Sequence, residues 1–288
     1  MRHKGINKVT KVFVVAGMLL ASACTSLASD EPGYTLVKQF SLPAELAETS
    51  GLYCADQNSL YTLNDSGNKP ILYQLNVLGE IQQQLEVGAK NRDWEALTGD
   101  DEHVYIGDIG NNNGKRKFVE ILVLDKKLSD PKVLRTLRVT YLNNAIDKNE
   151  YLNHDFDAEA LVSVDDKLIL LSKSWQSTHL QIYELSKTEL NQKVQPIATV
   201  EGLPGVVTGV DYNKLTREFI VVGYSLQGFG SFLPFIAKLD RQYKVLASYP
   251  LSGFNQVEGV CVSPNGEVWI SQESSFFSIQ KLAKLFVR

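Results

Sequence analysis

Cysteine is scarce in this chain, with 3 in 288 residues, far below the density of a disulfide-built scaffold, so the fold must come from an apolar core. Cys54 and Cys261 read most simply as two buried thiols, with pairing in an oxidising compartment as the alternative. Histidine is nearly as rare. His3, His103, His154 and His179 share no spacing, which argues against an imidazole-built zinc or copper site. His154 lies in a polar stretch and reads as a solvated loop residue. No Gly-x-Ser-x-Gly elbow and no glycine-rich loop leading into a helix occurs, so neither a serine-hydrolase nucleophile nor a phosphate loop is expected. After the first 23 residues there is no run long and apolar enough to cross a bilayer, and no convincing amphipathic helix.

The N-terminus is different. "MRHKGINKVTK" is basic and precedes the apolar run "VFVVAGMLLASA", the pattern of a signal peptide over 1–23. Leu20-Ala21-Ser22-Ala23-Cys24 resembles a bacterial lipobox, with Ala21 where leucine is usual. That likeness implies acylation of Cys24 and, because Thr25 is not Asp, sorting to the outer membrane of a Gram-negative envelope, facing periplasm or surface. Ala21-x-Ala23 also suits plain cleavage and secretion. Cleavage removes Arg2, Lys4, Lys8 and Lys11 and no acid, leaving 25 basic against 33 acidic residues, a net charge of −8. Nucleic acid is a poor partner for such a chain. Residues 24–33 read as a linker and 34–288 as one domain.

Within that domain a short motif recurs: "ETSGL" at 48–52, "DWEAL" at 93–97, "DAEAL" at 157–161, "VTGVD" at 207–211 and "VEGVC" at 257–261. One column reads Ser50, Glu95, Glu159, Thr208, Glu258, the next is Gly or Ala, and the third is Leu or Val. Successive members are 45, 64, 49 and 50 residues apart, the length of a four-stranded propeller blade. The 64-residue interval holds a polar insertion, about 142–155, expected as a surface loop. Each unit is built of short alternating runs punctuated by Asn, Asp, Gly and Pro. The fifth is short by one strand, which "YTLVKQFSLP" at 34–43 supplies from the other end. The expectation is an all-β, five-bladed β-propeller closed by its N-terminal strand; six blades would need a unit the sequence does not contain.

In a propeller the first strand of each blade lines the central channel, so a repeated first-strand residue becomes a ring about the axis. Small neighbours let the strands crowd together, and the aliphatic column packs between blades. Side chains two apart share a face, so Glu48, Asp93 and Asp157 form a second acidic tier. Three carboxylates and two hydroxyls in a narrow channel call for a cation or for protons. All-oxygen donors point to calcium, with magnesium less suited; a hydrated channel with raised carboxyl pKa values is the alternative.

Taken in order, "ETSGLYCADQNSLYTLND", "RDWEALTGDDEHVYIGD", "DAEALVSVDDKLILLSK", "VTGVDYN" and "VEGVCVSPNGEVWISQES" resemble the SdiA-regulated family of bacterial propeller proteins, over about 34–288. The resemblance implies an exported or surface-attached propeller. More distantly the chain is similar to calcium-activated nucleotidases, five-bladed propellers with an axial calcium among Ser and Glu side chains. That likeness implies Ser50, Glu95, Glu159, Thr208 and Glu258 as ligands, with Thr208 in place of a serine. "LNDSGNKP" at 63–70 matches that family's acidic second-strand loop without its arginine.

The loops after the second strands share a face with the starts of the first strands. They gather Asp65, Asp108, Asn111, Arg116, Lys173, Trp175, Tyr224 and Glu273 at one mouth, a setting for a small polar or anionic ligand. Asp65 and Asp108 suit tight turns equally well, and Arg116 and Lys173 read more readily as solvated charges. Two functions fit: an envelope propeller that binds a ligand or protein partner around a rigidifying calcium, or a calcium-dependent hydrolase of phosphate esters, nucleotides or lactones, with Asp65, Asp108 or Glu273 as base.

Overall fold

A computed structural model describes residues 29–288 apart from 32, 129, 228–230 and 277; the expected signal peptide and Cys24 lie outside the described residues. The described chain folds into five antiparallel sheets, each opening on one of the repeated motifs. The innermost strands are Thr49–Cys54, Trp94–Gly99, Ala158–Val164, Val206–Asn213 and Val257–Val262, the first strands of blades 1 to 5. Among the described residues the one helical turn is the 3-10 segment Ala44–Leu46. Blade 5 is completed as expected: Tyr34–Ser41 pairs antiparallel with Lys281–Val287, from Tyr34 opposite Val287 to Ser41 opposite Lys281. Ser29–Glu31, within the expected linker, adds a further strand outside it.

The aliphatic column does what its period requires. Leu52, Leu97, Leu161, Val210 and Val260 each fall in a different one of five buried apolar clusters, one between each pair of neighbouring blades. Burying each such side chain contributes about 1.5–3 kcal/mol. The core is therefore a ring of inter-blade layers.

The small column is set by contact distance. An added Cβ at Gly209 would lie 2.7 Å from the Glu258 carbonyl oxygen, and one at Gly259 would lie 2.6 Å from that of Ser50. Neighbouring inner strands approach at backbone range there.

Three features depart from the sequence reading. Cys54 and Cys261 are joined in a disulfide, correcting the expectation of two thiols. They lie near the ends of adjacent inner strands, blade 1 and blade 5, one position out of step in the repeat, where the Cα atoms are 5.5 Å apart. The bond therefore spans the same seam that the N-terminal strand closes. Second, Asn191–Val194 leaves blade 3 and pairs parallel with Arg138–Tyr141 on the outer edge of blade 2, covering an exposed edge that no local pattern announces. Third, His154 is buried. The insertion folds onto the blade 2 loop at 107–116, with His154 Nε2 3.2 Å from the Asn112 carbonyl, Asn149 donating to Gly114 O at 2.9 Å and Lys115 to Ile146 O at 2.8 Å.

Gly209→Ala and Gly259→Ala are each expected to destabilise the fold by about 1–3 kcal/mol through overpacking. Gly88→Ala, where an added Cβ meets nothing within 4 Å, is expected to be close to neutral. Chemical denaturation of the three variants measures the difference.

Candidate functional site at the propeller axis

Every inner strand carries a register irregularity at its ring position. Pairing with the second strand skips between Thr49 and Leu52, Trp94 and Ala96, Ala158 and Ala160, Val207 and Gly209, and Val257 and Gly259. The skipped residues include Ser50, Glu95, Glu159, Thr208 and Glu258. A bulge leaves its extra residue outside the ladder and re-aims the side chain, and here it does so five times around one axis. All five are buried. Glu95, Glu159, Thr208 and Glu258, with the small and aliphatic columns, line an axial cavity of about 10 Å³, the size of one water and too small for an organic ligand.

The ring is not symmetric. On the blade 1 and 2 side, Ser50 Oγ donates to the Glu95 carbonyl at 3.0 Å and to Glu95 Oε2 at 3.1 Å. Carboxylate oxygens of Asp65, Asp93 and Glu95 lie within 4.8 Å of one another. Burial pushes the Glu95 carboxyl well above its usual range, and Glu159, Asp65 and Asp93 push the same way. Asp93 is raised to about 6 by burial first, then by Asp65 and Asp157.

The other side has its own cation. Lys173, at the end of the blade 3 second strand, is buried rather than solvated. Its ammonium pairs with Glu159 Oε1, donates to the Tyr224 hydroxyl at 3.0 Å and lies 4.8 Å from the Trp175 ring centroid. Burial alone would lower the Lys173 pKa, but Glu159, Tyr224 and Glu258 more than offset it and hold the amine above its usual range. Burial raises Glu159 even so, against the pull of Lys173. Glu258, also raised by burial, accepts from Gln256 Nε2 at 2.9 Å, and the same amide reaches Glu273 Oε2 at 2.6 Å. Thr208 gives its hydroxyl proton to the Val257 carbonyl at 2.7 Å.

The mouth residues fall into two groups. Lys173, Tyr224, Trp175 and Glu273 converge on the ring, as does Asp65. Asp157 joins them, fully buried, accepting from the Trp175 indole at 2.9 Å and from Asn111 N at 2.6 Å. Asp108 and Arg116 instead form an ion pair at 2.8 Å. Asn111 braces its loop, donating to Phe156 O at 2.8 Å and accepting from Arg116 N at 2.9 Å. Glu48, expected in the second tier, accepts from the Asn68 amide. Gln256 is the functional residue the sequence reading missed. It stands two before Glu258, in the same column as Asp93 and Asp157.

These carboxyls fix the sign of the pH dependence. A carboxyl whose folded pKa lies above its unfolded value binds its proton more tightly in the native state, so the fold gains stability as pH falls through that window. Without divalent cations, the melting temperature is expected to be higher at pH 5 than at pH 8. Lys173→Met removes the ammonium on the ring and is expected to destabilise by about 3–5 kcal/mol at pH 8 and by less at pH 5, where more of its partners are neutral. Thermal melts of both proteins across that range test this.

No protein-family model and no curated protein matches the chain. Solved structures match over most of its length. A streptogramin B lyase structure is 11% identical, with a TM-score of 0.43 over 88% of this chain and 98% of that one. Virginiamycin B lyase from Staphylococcus aureus is 12% identical, with a TM-score of 0.41 over 87% and 70%. A putative oxidoreductase (glucose dehydrogenase) from Thermus thermophilus is 12% identical, with a TM-score of 0.47 over 86% and 99%. Likeness at that level passes no activity to this chain, whose five-bladed β-propeller fold is carried by its own sheets.

Proposed function

We propose that this protein is an exported, lipid-anchored envelope propeller, related to the SdiA-regulated family, that holds calcium at its axis and binds a small polar or anionic ligand or a protein partner at the mouth above it. The observation that carries the reading is the approach of Asp65, Asp93 and Glu95 oxygens to within 4.8 Å of one another. Two oxygens bound to one calcium at about 2.4 Å stand at most about 4.8 Å apart. The donors are all hard oxygens, and Ser50 Oγ adjoins Glu95. Glu159 is engaged by Lys173 and Thr208 by a backbone carbonyl, so the ion would sit towards blades 1 and 2, held by Glu95, Asp93, Asp65 and Ser50. The Cys54–Cys261 disulfide supports an oxidising compartment.

Binding is favoured over hydrolysis because two of the three candidate bases are engaged and the third, Asp65, stands among the ligands of the ion. Asp108 is paired with Arg116, and Glu273 accepts from Gln256. Lys173 is fixed between Glu159 and Tyr224. Ligand contact would fall to the loops above, with Trp175 as the aromatic wall.

The test is a melt of residues 29–288 after chelation and after adding back calcium or magnesium. A rise in melting temperature, larger with calcium and absent in Glu95→Gln and Asp93→Asn, is expected. Equal melts in chelator and calcium would leave the ring neutralised by Lys173 and protons alone and would sink the metal reading. Calcium-dependent turnover of a phosphate ester or lactone, lost in Glu95→Gln, would replace binding by hydrolysis.

A further inference from the structure

The axis has a second mouth. On the face opposite the ring, where the inner strands end, Tyr53 and Ala55 of blade 1, Thr98 of blade 2, Ser163 of blade 3, Asp211 of blade 4 and Val262 of blade 5 help line a cavity of about 380 Å³. That volume suits a small organic ligand. Asp211 is fixed in its wall, one oxygen accepting from Tyr212 N at 2.8 Å and the other from Val262 N at 2.7 Å.

The charge of Asp211 is poorly matched. The cation that bears on it is Lys214, the weakest of the influences on its carboxyl, and burial pushes that carboxyl up to about 6. The other acids of the mouth are served by lysines: Lys187 binds Asp100 at 2.8 Å and Lys126 stands 3.8 Å from Asp101. Tyr53 lies against Gly99. Its phenol is pushed up to about 12, by burial first and by Asp211 next, so it presents a neutral ring and hydroxyl near the carboxylate. A desolvated carboxylate in a cavity that Tyr53 and Tyr212 also line is complementary to an ammonium group carrying an apolar stem.

We propose that this cavity binds a small organic cation, an amine whose ammonium pairs with Asp211 and whose stem lies against Tyr53 and Tyr212. The site is separate from the axial carboxylates and needs no metal.

Saturation-transfer NMR and titration on residues 29–288 would use n-butylamine and 2-phenylethylamine, with n-pentanol and butyrate as neutral and anionic counterparts, each in calcium and in chelator. Amine binding that is the same in both buffers, with the alcohol and acid at least tenfold weaker, is expected. Asp211→Asn is expected to weaken the amine at least tenfold. Ala55→Trp, which crowds the cavity while leaving Asp211 in the chain, is expected to abolish binding, and it decides the matter should Asp211→Asn fail to fold. Equal binding of amine, alcohol and acid, amine binding untouched by Ala55→Trp, or no binding of either amine at millimolar concentration would each overturn the proposal. Loss of the calcium response leaves this result unaffected, so the two sites stand or fall separately.

Discussion

The crowding of like charges where five inner strands meet is the constraint on which the rest of this structure depends. Two carboxylates about 5 Å apart repel by about 3 kcal/mol at an effective dielectric of 20. Glu95, Glu159 and Glu258 share that space with Asp157, Asp93 and Glu273 nearby. Such a cluster is compatible with folding only when the blades are held together by something else. The five inter-blade apolar layers supply that, with the N-terminal strand and the Cys54–Cys261 bond closing one seam from its outer and inner edges. Lys173 relieves the blade 3 and 4 side of the ring from within.

The same crowding explains the bulges. A regular strand alternates its side chains between the two faces of a blade, both buried against neighbouring blades. A carboxylate on either face would enter an apolar layer. The irregularity at each ring position takes one residue out of that alternation and turns it to the axis, while the next aliphatic residue returns to the inter-blade core. Bulge, small residue and aliphatic residue are thus one device, repeated in the sequence because the geometry demands it at every blade.

Legibility in the sequence divides along physical lines. Blade number, closure by residues 34–43, the ring and the inter-blade column were readable because each depends on local periodicity recurring at a fixed interval. Lys173 was not. It belongs to a different column, at the end of a second strand, and a lysine there looks the same whether it faces solvent or turns inward to Glu159. The disulfide stood only as the alternative because 207 residues separate its cysteines and only ring closure makes them neighbours. His154 and the Asn191–Val194 strand depend on how an insertion and a blade edge meet, which no repeat encodes. Gln256 was available to the same alignment that placed Asp93 and Asp157. An amide in an acidic column carries no charge signal, yet it is the group that lets Glu258 and Glu273 stand together.

The division of the ring into a lysine side and an acid side bears on what the axis can do. A single ammonium cannot offset all the carboxyls around it, and its hydrogen bonds already go to Glu159 and Tyr224. Asp65, Asp93 and Glu95 are left to protons or to an external cation, and the raised pKa values of Asp93 and Glu95 express that deficit in the absence of one. An ion bound there would lower those same pKa values by stabilising the charged forms, so the proposed cation and protons would compete for this site. Were calcium held there, acidification would release it and protonate its ligands together, with little change in net charge at the axis. The propeller would then hold its shape across the transition while the charge presented to its mouth changes carrier from metal to proton.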